Sequence, residues 1–271
     1  MPAFLMDIEG GVATMRLNRP EAKNALNTEI YQGLEKALLQ IREDRDVRAV
    51  VLTGSGGVFC AGGDVKVINA NADSDTPEAR RDRLRGVHRV IKLLADLDRP
   101  LVAAVAGPAY GAGFSLALFA DMVLATPRAR FCMVFARIGF IPDYGALYTL
   151  PRVVGLNRAK DLMLSGRELG AQEAREIGVV NEIVDADRLE GRTRQVALAL
   201  ASASPVAATM TKIALNRSLS MDLDTMLEYE AAHQGIAAAS SYAKDAVQRF
   251  ADKKPPAFQW PKAPISPTHQ I

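Results

Sequence analysis

The sequence contains few of the residues and segments that mark several common protein classes. It has two cysteines and three histidines in 271 residues. Two isolated cysteines do not form a disulfide framework, and His233 and His269 have no neighbour at metal-ligand spacing. No apolar run reaches the roughly 18 residues of a membrane span. The amino-terminal stretch carries Asp7 and Glu9 instead of a basic signal region. We therefore expect a cytoplasmic protein with no metal ion and no membrane partner.

Neither sign of charge dominates the chain. Lysine and arginine number 33 against 31 aspartates and glutamates, which leaves a net charge of +2 and gives no reason to expect a nucleic-acid partner. Apolar residues make up 49% and charged residues 24%, as in an ordinary globular protein with a sizeable core. The length allows one large α/β domain or a core with an appendage.

A glycine turn between a strand and a helix is the most informative stretch. Residues 101–106 form a short apolar run typical of a buried strand, and the segment after Gly113 is typical of a buried helix. Gly111 and Gly113 allow the backbone to approach a ligand closely. The first N–H groups of the helix lack partners within it and favour negative charge. The turn therefore supplies half of a possible oxyanion hole.

A second glycine turn lies upstream. An apolar strand over residues 50–53 leads into a glycine-rich loop that ends with Gly62, Gly63 and Asp64. Backbone donors from the two turns can converge on one oxygen. Cys60 lies in this loop without a basic neighbour in sequence, so we interpret it as a buried, inert thiol.

At these two turns the sequence resembles the crotonase superfamily of enoyl-CoA hydratases and isomerases. It contains the family patterns TG-x-G-x-x-F-x-A-G-x-D and G-x-x-x-G-x-G-x-x-L-x-x-x-x-D, preceded by Leu17–Asn27, which resembles the family's first CoA-contacting segment. The likeness runs from about residue 12 to about residue 255. It implies oxyanion donors at Gly63 and Ala112, no cofactor other than the CoA of an acyl-CoA substrate, and homotrimers or hexamers. The implied CoA contacts are Lys23, Ala25, Leu26, Ala61, Gly62, Asp64 and Val65.

The pattern along the chain predicts an α/β fold with a largely parallel sheet. Strands are expected over residues 12–17, 49–53, 101–106 and 122–126, and helices from Asn27 and over 77–97. Residues 66–76 are expected to form a loop. The resemblance adds a spiral of β-β-α units. We predict a core over residues 1–200 with the CoA and oxyanion sites, and a helical part over 201–271 that joins subunits and covers the acyl pocket.

The helix predicted over 77–97 carries a run of basic side chains. Either this face is solvated, which is the usual case for charge runs, or it contacts the phosphates of CoA. Its basic residues are Arg80, Arg81, Arg83, Arg85, Arg89 and Lys92.

Both glutamates that hold the attacking water in a family hydratase are missing. Position by position, they fall on Ser115 and Phe135. Adding water to an enoyl group needs a group that accepts a proton from it, and neither side chain can do so. We therefore reject the ordinary hydratase as a function.

Asp143 is the carboxylate that remains. Family isomerases keep a working aspartate at this place, and residues 131–155 are most similar to the phenylacetate-pathway isomerases. Apolar neighbours predict a raised pKa, which suits a base that returns its proton. We predict a 1,3-proton shift through Asp143 on an acyl group of undetermined kind; a turn-capping role is the alternative. The expected pocket residues are Ser115, Phe135, Phe140 and Tyr144, with Ile141 also close to Asp143.

Two further functions stay open. In the dehalogenase branch of the family, the aspartate at the place of Asp143 is the nucleophile. The first alternative function is therefore a dehalogenase or thioesterase. His88 stands where dehalogenases carry a helping histidine. A surface or core position is the commoner one for such a histidine. The second alternative function is a non-catalytic acyl-CoA binder, which the loss of both glutamates makes plausible. A Ser115 nucleophile is disfavoured because the final glycine of a nucleophile elbow is absent.

Overall fold

The computed structural model describes residues 1–64 and 76–262. Val65 and the loop predicted over 66–76 lie outside the described residues, except for Thr76. The strands are Phe4–Glu9 (β1), Val12–Leu17 (β2), Ala49–Gly54 (β3), Leu101–Val105 (β4), Pro108–Tyr110 (β5), Met122–Ala125 (β6), Arg130–Cys132 (β7), Glu168–Gly170 (β8) and Glu182–Ile183 (β9). The helices are Thr28–Glu43 (α1), Pro77–Ala95 (α2), Ala112–Ala117 (α3), Ala146–Val154 (α4), Leu156–Ser165 (α5), Ala171–Glu176 (α6), Leu189–Ser202 (α7), Pro205–Arg217 (α8), Leu223–Ala239 (α9) and Ser241–Ala251 (α10).

The strands form two sheets. The larger has the order β1-β2-β3-β4-β6-β9 and the smaller β5-β7-β8. Neighbours in the larger sheet are parallel except for the antiparallel β1–β2 pair. From β4 to β7 successive strands alternate between the sheets, since β4 and β6 enter the larger and β5 and β7 the smaller. The predicted largely parallel sheet is confirmed.

The central strands are apolar on both faces because both faces are covered. Val50 and Leu52 of β3 pack into the main core with α1. Val51 of the same strand packs on the other face, against Ala197 of α7. Side chains alternate across a strand, so a strand covered on both sides is a continuous apolar run.

Helix α1 forms where the sequence predicts it. The side chain of Asn27 accepts a hydrogen bond from the Ile30 amide at 3.0 Å and caps the first turn. The apolar stripe along its inner face is buried: Ile30, Leu34, Ala37, Leu38 and Ile41.

The helices after α7 bury little of their own surface. Lys212 of α8 is buried, and its ammonium group donates to Asp121 at 2.7 Å and to the Arg99 carbonyl at 2.8 Å. α9 and α10 contain no buried residue. The large apolar side chains that these helices leave exposed are Leu215, Leu223, Leu227, Ile236, Val247 and Phe250. The two-part division and the subunit contacts stay predictions.

No single helix in the described parts of the chain has the length and apolar content of a membrane span. α7 and residues Pro205–Ser220 reach that length and composition only together, across a bend of 105°.

Candidate active site

The glycine turn at residue 111 leads directly into the buried helix α3. Gly111 has φ +51°, and its amide donates to the Cys132 carbonyl at 2.8 Å. Every residue of α3 is buried, as the sequence predicts. The Ala112 amide opens the helix and finds no acceptor among residues 1–64 and 76–262. It is therefore available to a ligand oxygen.

The upstream turn lies against the first. The Tyr110 amide donates to the Cys60 carbonyl at 2.9 Å, and the Cys60 amide donates to the Pro108 carbonyl at 3.1 Å. A Cβ atom on Gly113 would lie 2.3 Å from the Cys60 carbonyl oxygen, so only glycine fits there. A Cβ atom on Gly62 would lie 3.7 Å from the Ala112 nitrogen.

The Gly63 amide, next along this turn, also has no acceptor in the described structure. Two unpartnered backbone donors therefore belong to turns in direct contact. Their assignment as an oxyanion hole stays a prediction, and this geometry supports it.

The segment predicted to contact CoA is docked on the same loop. The Ala61 amide donates to the Lys23 carbonyl at 3.0 Å, and the Leu26 amide to the Gly62 carbonyl at 2.8 Å. Ala25 lies between them and is buried. Asn24 was not among the residues predicted from the sequence. Its buried side chain accepts a hydrogen bond from the Arg19 amide and donates to the Ser55 and Val58 carbonyls. These bonds hold Lys23 and Asn24 in left-handed backbone conformations.

Asp64 is engaged by the protein itself. Its carboxylate lies 2.9 Å from the Arg19 guanidinium, which also donates to the Ala25 carbonyl at 2.7 Å. The pair ties the two CoA-contacting segments together. Direct contact of Asp64 with CoA stays a prediction, and Val65 lies outside the described residues.

The two positions where the resemblance places hydratase glutamates hold Ser115 and Phe135, and neither side chain is a carboxylate. Ser115 is fully buried, and its hydroxyl donates to the Gly111 carbonyl at 3.2 Å within the helix. Phe135 is buried, and its ring edge lies 3.7 Å from where a Cβ on Gly111 would be. The side chains beside the glycine turn are therefore uncharged at the two positions where the resemblance places hydratase glutamates.

Asp143 occupies the turn before α4. Its backbone carbonyl, not its side chain, accepts the hydrogen bond from the Ala146 amide at 3.0 Å. Its Oδ1 atom is buried and has no partner among the described residues. Burial raises the pKa of this carboxyl from 3.8 to about 7, partly opposed by a backbone hydrogen bond. An orphaned carboxylate oxygen and a pKa near neutrality fit a proton-transfer group better than a turn cap.

The four side chains expected around Asp143 differ in burial. Phe135 and Tyr144 are buried at 6% and 7% exposure, but Phe140 and Ile141 are 42% and 76% exposed. That Phe140 and Ile141 line the pocket stays a prediction, because exposure in the single chain does not test it. Gly139 adopts a left-handed conformation after the 3-10 turn Val134–Ile138. The residues that follow it lie at the surface.

A pair of tyrosines beside Asp143 was only half predicted. The hydroxyl of Tyr31, on α1, is hydrogen-bonded to the hydroxyl of Tyr144, and Tyr144 has φ +53°. Burial raises the pKa of both phenols, and the charges of Asp143 and Cys60 raise it further. Asp143 and the Cys60 loop therefore lie within electrostatic range of the same pair. No local pattern indicates a contact between residues so far apart in sequence.

Cys60 is buried, whereas the basic side chains of α2 are exposed. Cys60 is fully buried, and burial raises the pKa of its thiol to about 12, so it stays protonated near neutral pH. The basic side chains of α2 are exposed, and so is His88. Contact with CoA phosphates is not tested by this exposure. No cluster of three acidic, histidine or cysteine side chains able to hold a metal occurs within residues 1–64 and 76–262.

The model of the enoyl-CoA hydratase/isomerase family matches residues 7–261. The chain belongs to this family. The resemblance to the crotonase superfamily is thereby confirmed, and the α/β fold is the crotonase fold.

The relatives have different activities. The chain is 37% identical to the 1,2-epoxyphenylacetyl-CoA isomerase of Escherichia coli K12, over 95% of its own length and 98% of the relative's. It is 34% identical to a short-chain-enoyl-CoA hydratase of Clostridium acetobutylicum, over 92% and 95%. It is 35% identical to a 4-chlorobenzoyl coenzyme A dehalogenase of Arthrobacter, over 81% and 80%.

A solved enoyl-CoA hydratase/isomerase from Cupriavidus metallidurans CH34 has the same fold. It is 43% identical in sequence and superposes with a TM-score of 0.93 over 97% of this chain and 99% of its own. Membership is therefore shown, while the reaction has to be argued from the site.

Proposed function

We propose that the protein is an acyl-CoA isomerase that shifts a double bond by moving a proton through Asp143. The carrying observation is the buried, unpartnered Oδ1 of Asp143, in a site whose hydratase glutamate positions hold Ser115 and Phe135. The isomerase relative from E. coli supports the same class of reaction. CoA enters as part of the substrate, and no other cofactor is proposed.

The proton shift needs one base and one anion site. Asp143, ionised, removes a proton from a carbon of the acyl chain, and the electrons move onto the thioester oxygen. The amides of Gly63 and Ala112 stabilise that oxygen, each by an amount whose loss typically costs about 10²- to 10³-fold in rate. Protonated Asp143 then returns the proton two carbons away, so the net change is the position of the double bond.

The surroundings of Asp143 suit this cycle. A carboxyl with a pKa of about 7 is readily ionised and readily reprotonated near neutral pH. The buried rings of Phe135 and Tyr144 limit access of water. Ser115, at one of the two expected glutamate positions, donates its hydroxyl to its own helix and cannot take the place of a base that activates water.

Replacement of Asp143 by Asn tests the proposal. Asparagine keeps the size of the side chain but cannot accept a proton, so turnover of 3-enoyl-CoA should fall roughly 100-fold or more. Affinity for acyl-CoA should stay near that of the parent. Asp143→Glu, which keeps a displaced carboxylate, should retain part of the activity. Turnover is measured per folded molecule, and near-parental turnover of Asp143→Asn would refute the assignment.

Deuterated water separates this reaction from its competitors. The isomerase should conjugate 3-enoyl-CoA without release of CoA or halide, and because Asp143 returns the proton that it removes from C2, a single turnover should place little solvent label at C4. Release of free CoA, or of halide from a haloaryl-CoA, would instead indicate a nucleophilic Asp143; halide release is the reaction in the name of the Arthrobacter relative. Tight binding without turnover would leave an acyl-CoA binder.

A further inference from the structure

Tyr31 and Tyr144 leave one hydrogen-bond donor unused. Each phenol has one O–H and can also accept. The bond between them uses one of the two hydrogens, whichever residue donates. For the second hydrogen, no acceptor lies within the parts of the chain that the structure describes. A hydroxyl that loses its hydrogen bond to water without gaining another costs free energy. The unused O–H therefore indicates a place where a ligand atom can accept.

The phenol pair lies close to Asp143, whose Oδ1 is also unpartnered. Both tyrosines pack against the main core, Tyr144 within it and Tyr31 at its edge. Asp143 directly precedes Tyr144 in the chain, and its charge acts on both phenols. Yet no hydrogen bond joins the carboxylate to either hydroxyl among the described contacts, so neither group satisfies the other.

A bound acyl-CoA has one oxygen that the backbone amides account for. In the proposed reaction the thioester oxygen is bound by Gly63 and Ala112. The CoA part, with its own oxygens, is expected at the segments around Lys23–Leu26 and Ala61–Asp64. An oxygen that the phenol pair binds beside Asp143 is therefore a different one, on the acyl group itself. An all-hydrocarbon acyl group would cover the free O–H without replacing its bond to water, and a site with such a donor discriminates against it.

We propose that Tyr31 and Tyr144 form a phenol subsite that donates a hydrogen bond to an oxygen on the acyl group, near the carbon that Asp143 deprotonates. The substrates are then oxygen-bearing acyl-CoAs, such as those with a hydroxyl, carbonyl or cyclic ether on the acyl part. This inference rests on the proposed function for the position of the reacting carbon. It adds a specificity-determining pair, of which one member lies on α1.

Equilibrium binding of unreactive ligands tests the subsite. Phenylacetyl-CoA and its ortho-, meta- and para-hydroxy derivatives place an oxygen at three fixed positions around a rigid ring, and none has a double bond that can shift. Calorimetric titration of the full-length protein should give about fivefold tighter binding for at least one hydroxy derivative than for phenylacetyl-CoA, as expected for one net hydrogen bond.

Tyrosine-to-phenylalanine variants assign the preference. In the double variant Tyr31→Phe/Tyr144→Phe the affinity ratio should fall to about one, and at least one single variant should lose it as well. Tyr229→Phe is the matched control, because its hydroxyl donates to the Met210 carbonyl on α8 and should leave the ratio unchanged. Thermal unfolding of each variant verifies that it folds.

Two results would overturn the subsite. One is equal affinity of the parent for all four ligands, and the other is a preference that survives in the double variant. Neither depends on turnover, so failure of the subsite is distinct from failure of the proposed reaction. The latter is decided by Asp143→Asn with simple 3-enoyl-CoA.

Discussion

The pKa of Asp143 is set by two opposing effects. Burial of Oδ1 disfavours the ionised form, while a backbone hydrogen bond favours it, and the first effect is larger. The two positions that the family resemblance assigns to hydratase glutamates hold Ser115 and Phe135, so neither carries an acidic group beside the glycine turn. One carboxylate in a drier pocket suits proton shuttling better than activation of water.

The pKa of Asp143 predicts opposite effects of pH on rate and on stability. A base has to be ionised, so kcat/KM for 3-enoyl-CoA should rise as pH increases through about 7 and then level off. The folded-state pKa is raised above 3.8. The stabilisation from the protonated carboxyl is therefore complete below about pH 4 and is lost as pH rises through about 7.

Asp143→Asn removes this titration. Its melting temperature should exceed that of the parent at pH 8, and the gap should narrow towards pH 4. Activity and melting curves over that range check both effects. A parent rate that is flat across neutral pH, together with parallel melting curves, would contradict a raised pKa.

At the scale of elements, the site depends on two turns that pair through their backbones. Cys60 and Ala109 form an isolated parallel bridge between the turns. The bridge places the Gly62–Gly63 turn beside the first residue of α3. Because the proposed donors are backbone groups, side-chain changes there should matter only where they alter the backbone.

Ala112→Pro tests the donor directly. Proline is well tolerated at the first position of a helix, and it has no N–H. Turnover should fall about 100-fold or more while the protein stays folded, whereas Ala112→Gly should be nearly silent. Steady-state rates of the two variants on 3-enoyl-CoA are compared. Parental activity in Ala112→Pro would remove Ala112 from the anion site.

Gly113→Ala tests the contact between the turns. The new Cβ would lie 2.3 Å from the backbone oxygen of Cys60, so α3 and the loop have to move apart. We expect a loss of about 2 kcal/mol or more in the free energy of unfolding, as for other overpacked sites. Gly86→Ala on α2 is the control, since its Cβ meets no atom within 4 Å and alanine favours a helix. Urea unfolding of both variants is the measurement, and equal stability of the two would contradict the close contact.

For the whole molecule, the distribution of apolar surface is uneven. The core ends with α7, whose Val196 and Ala197 pack on the sheet. The later helices are attached in part through the ion pair between the buried Lys212 and the partly exposed Asp121, while their large apolar side chains face outward. Exposed apolar patches of this kind mark interaction surfaces. The exposed Phe140 and Ile141 add to the uncovered surface near the site.

We predict a homotrimer or hexamer in which these helices are covered. Leu223 and Leu227 of α9 are 71% and 50% exposed and lie one turn apart. The double change Leu223→Lys/Leu227→Lys should produce monomers because charges cannot be buried cheaply in an apolar interface. Leu39→Lys, at an exposed leucine on α1, is the control. Sedimentation at micromolar protein measures the assembly, and a monomeric parent would refute the prediction.

Much of the fold and half of the site could be predicted from local patterns. The stripe of α1, the apolar runs of β3 and β4 and the helix α2 follow from periodicity, because each covered face repeats along a single segment. The glycine turns and Asp143 were found from family motifs. At Gly113 the motif has a physical cause, because the backbone there tolerates no side chain. β1 was missed because it is an edge strand with most of its residues exposed. β8 and β9, of three and two residues, are too short to show a period.

Only the tertiary structure decided which distant residues meet around Asp143. Tyr31 contacts Tyr144 because α1 packs against the core beside the turn after Pro142, and nothing local to either residue encodes that approach. The outward position of Phe140 and Ile141 likewise depends on the left-handed turn at Gly139. The sequence alone therefore determined which chemical groups are available and which backbone conformations are required. Their burial, and with it the pKa of Asp143 and the unused phenol donor, depends on packing between segments far apart in the chain.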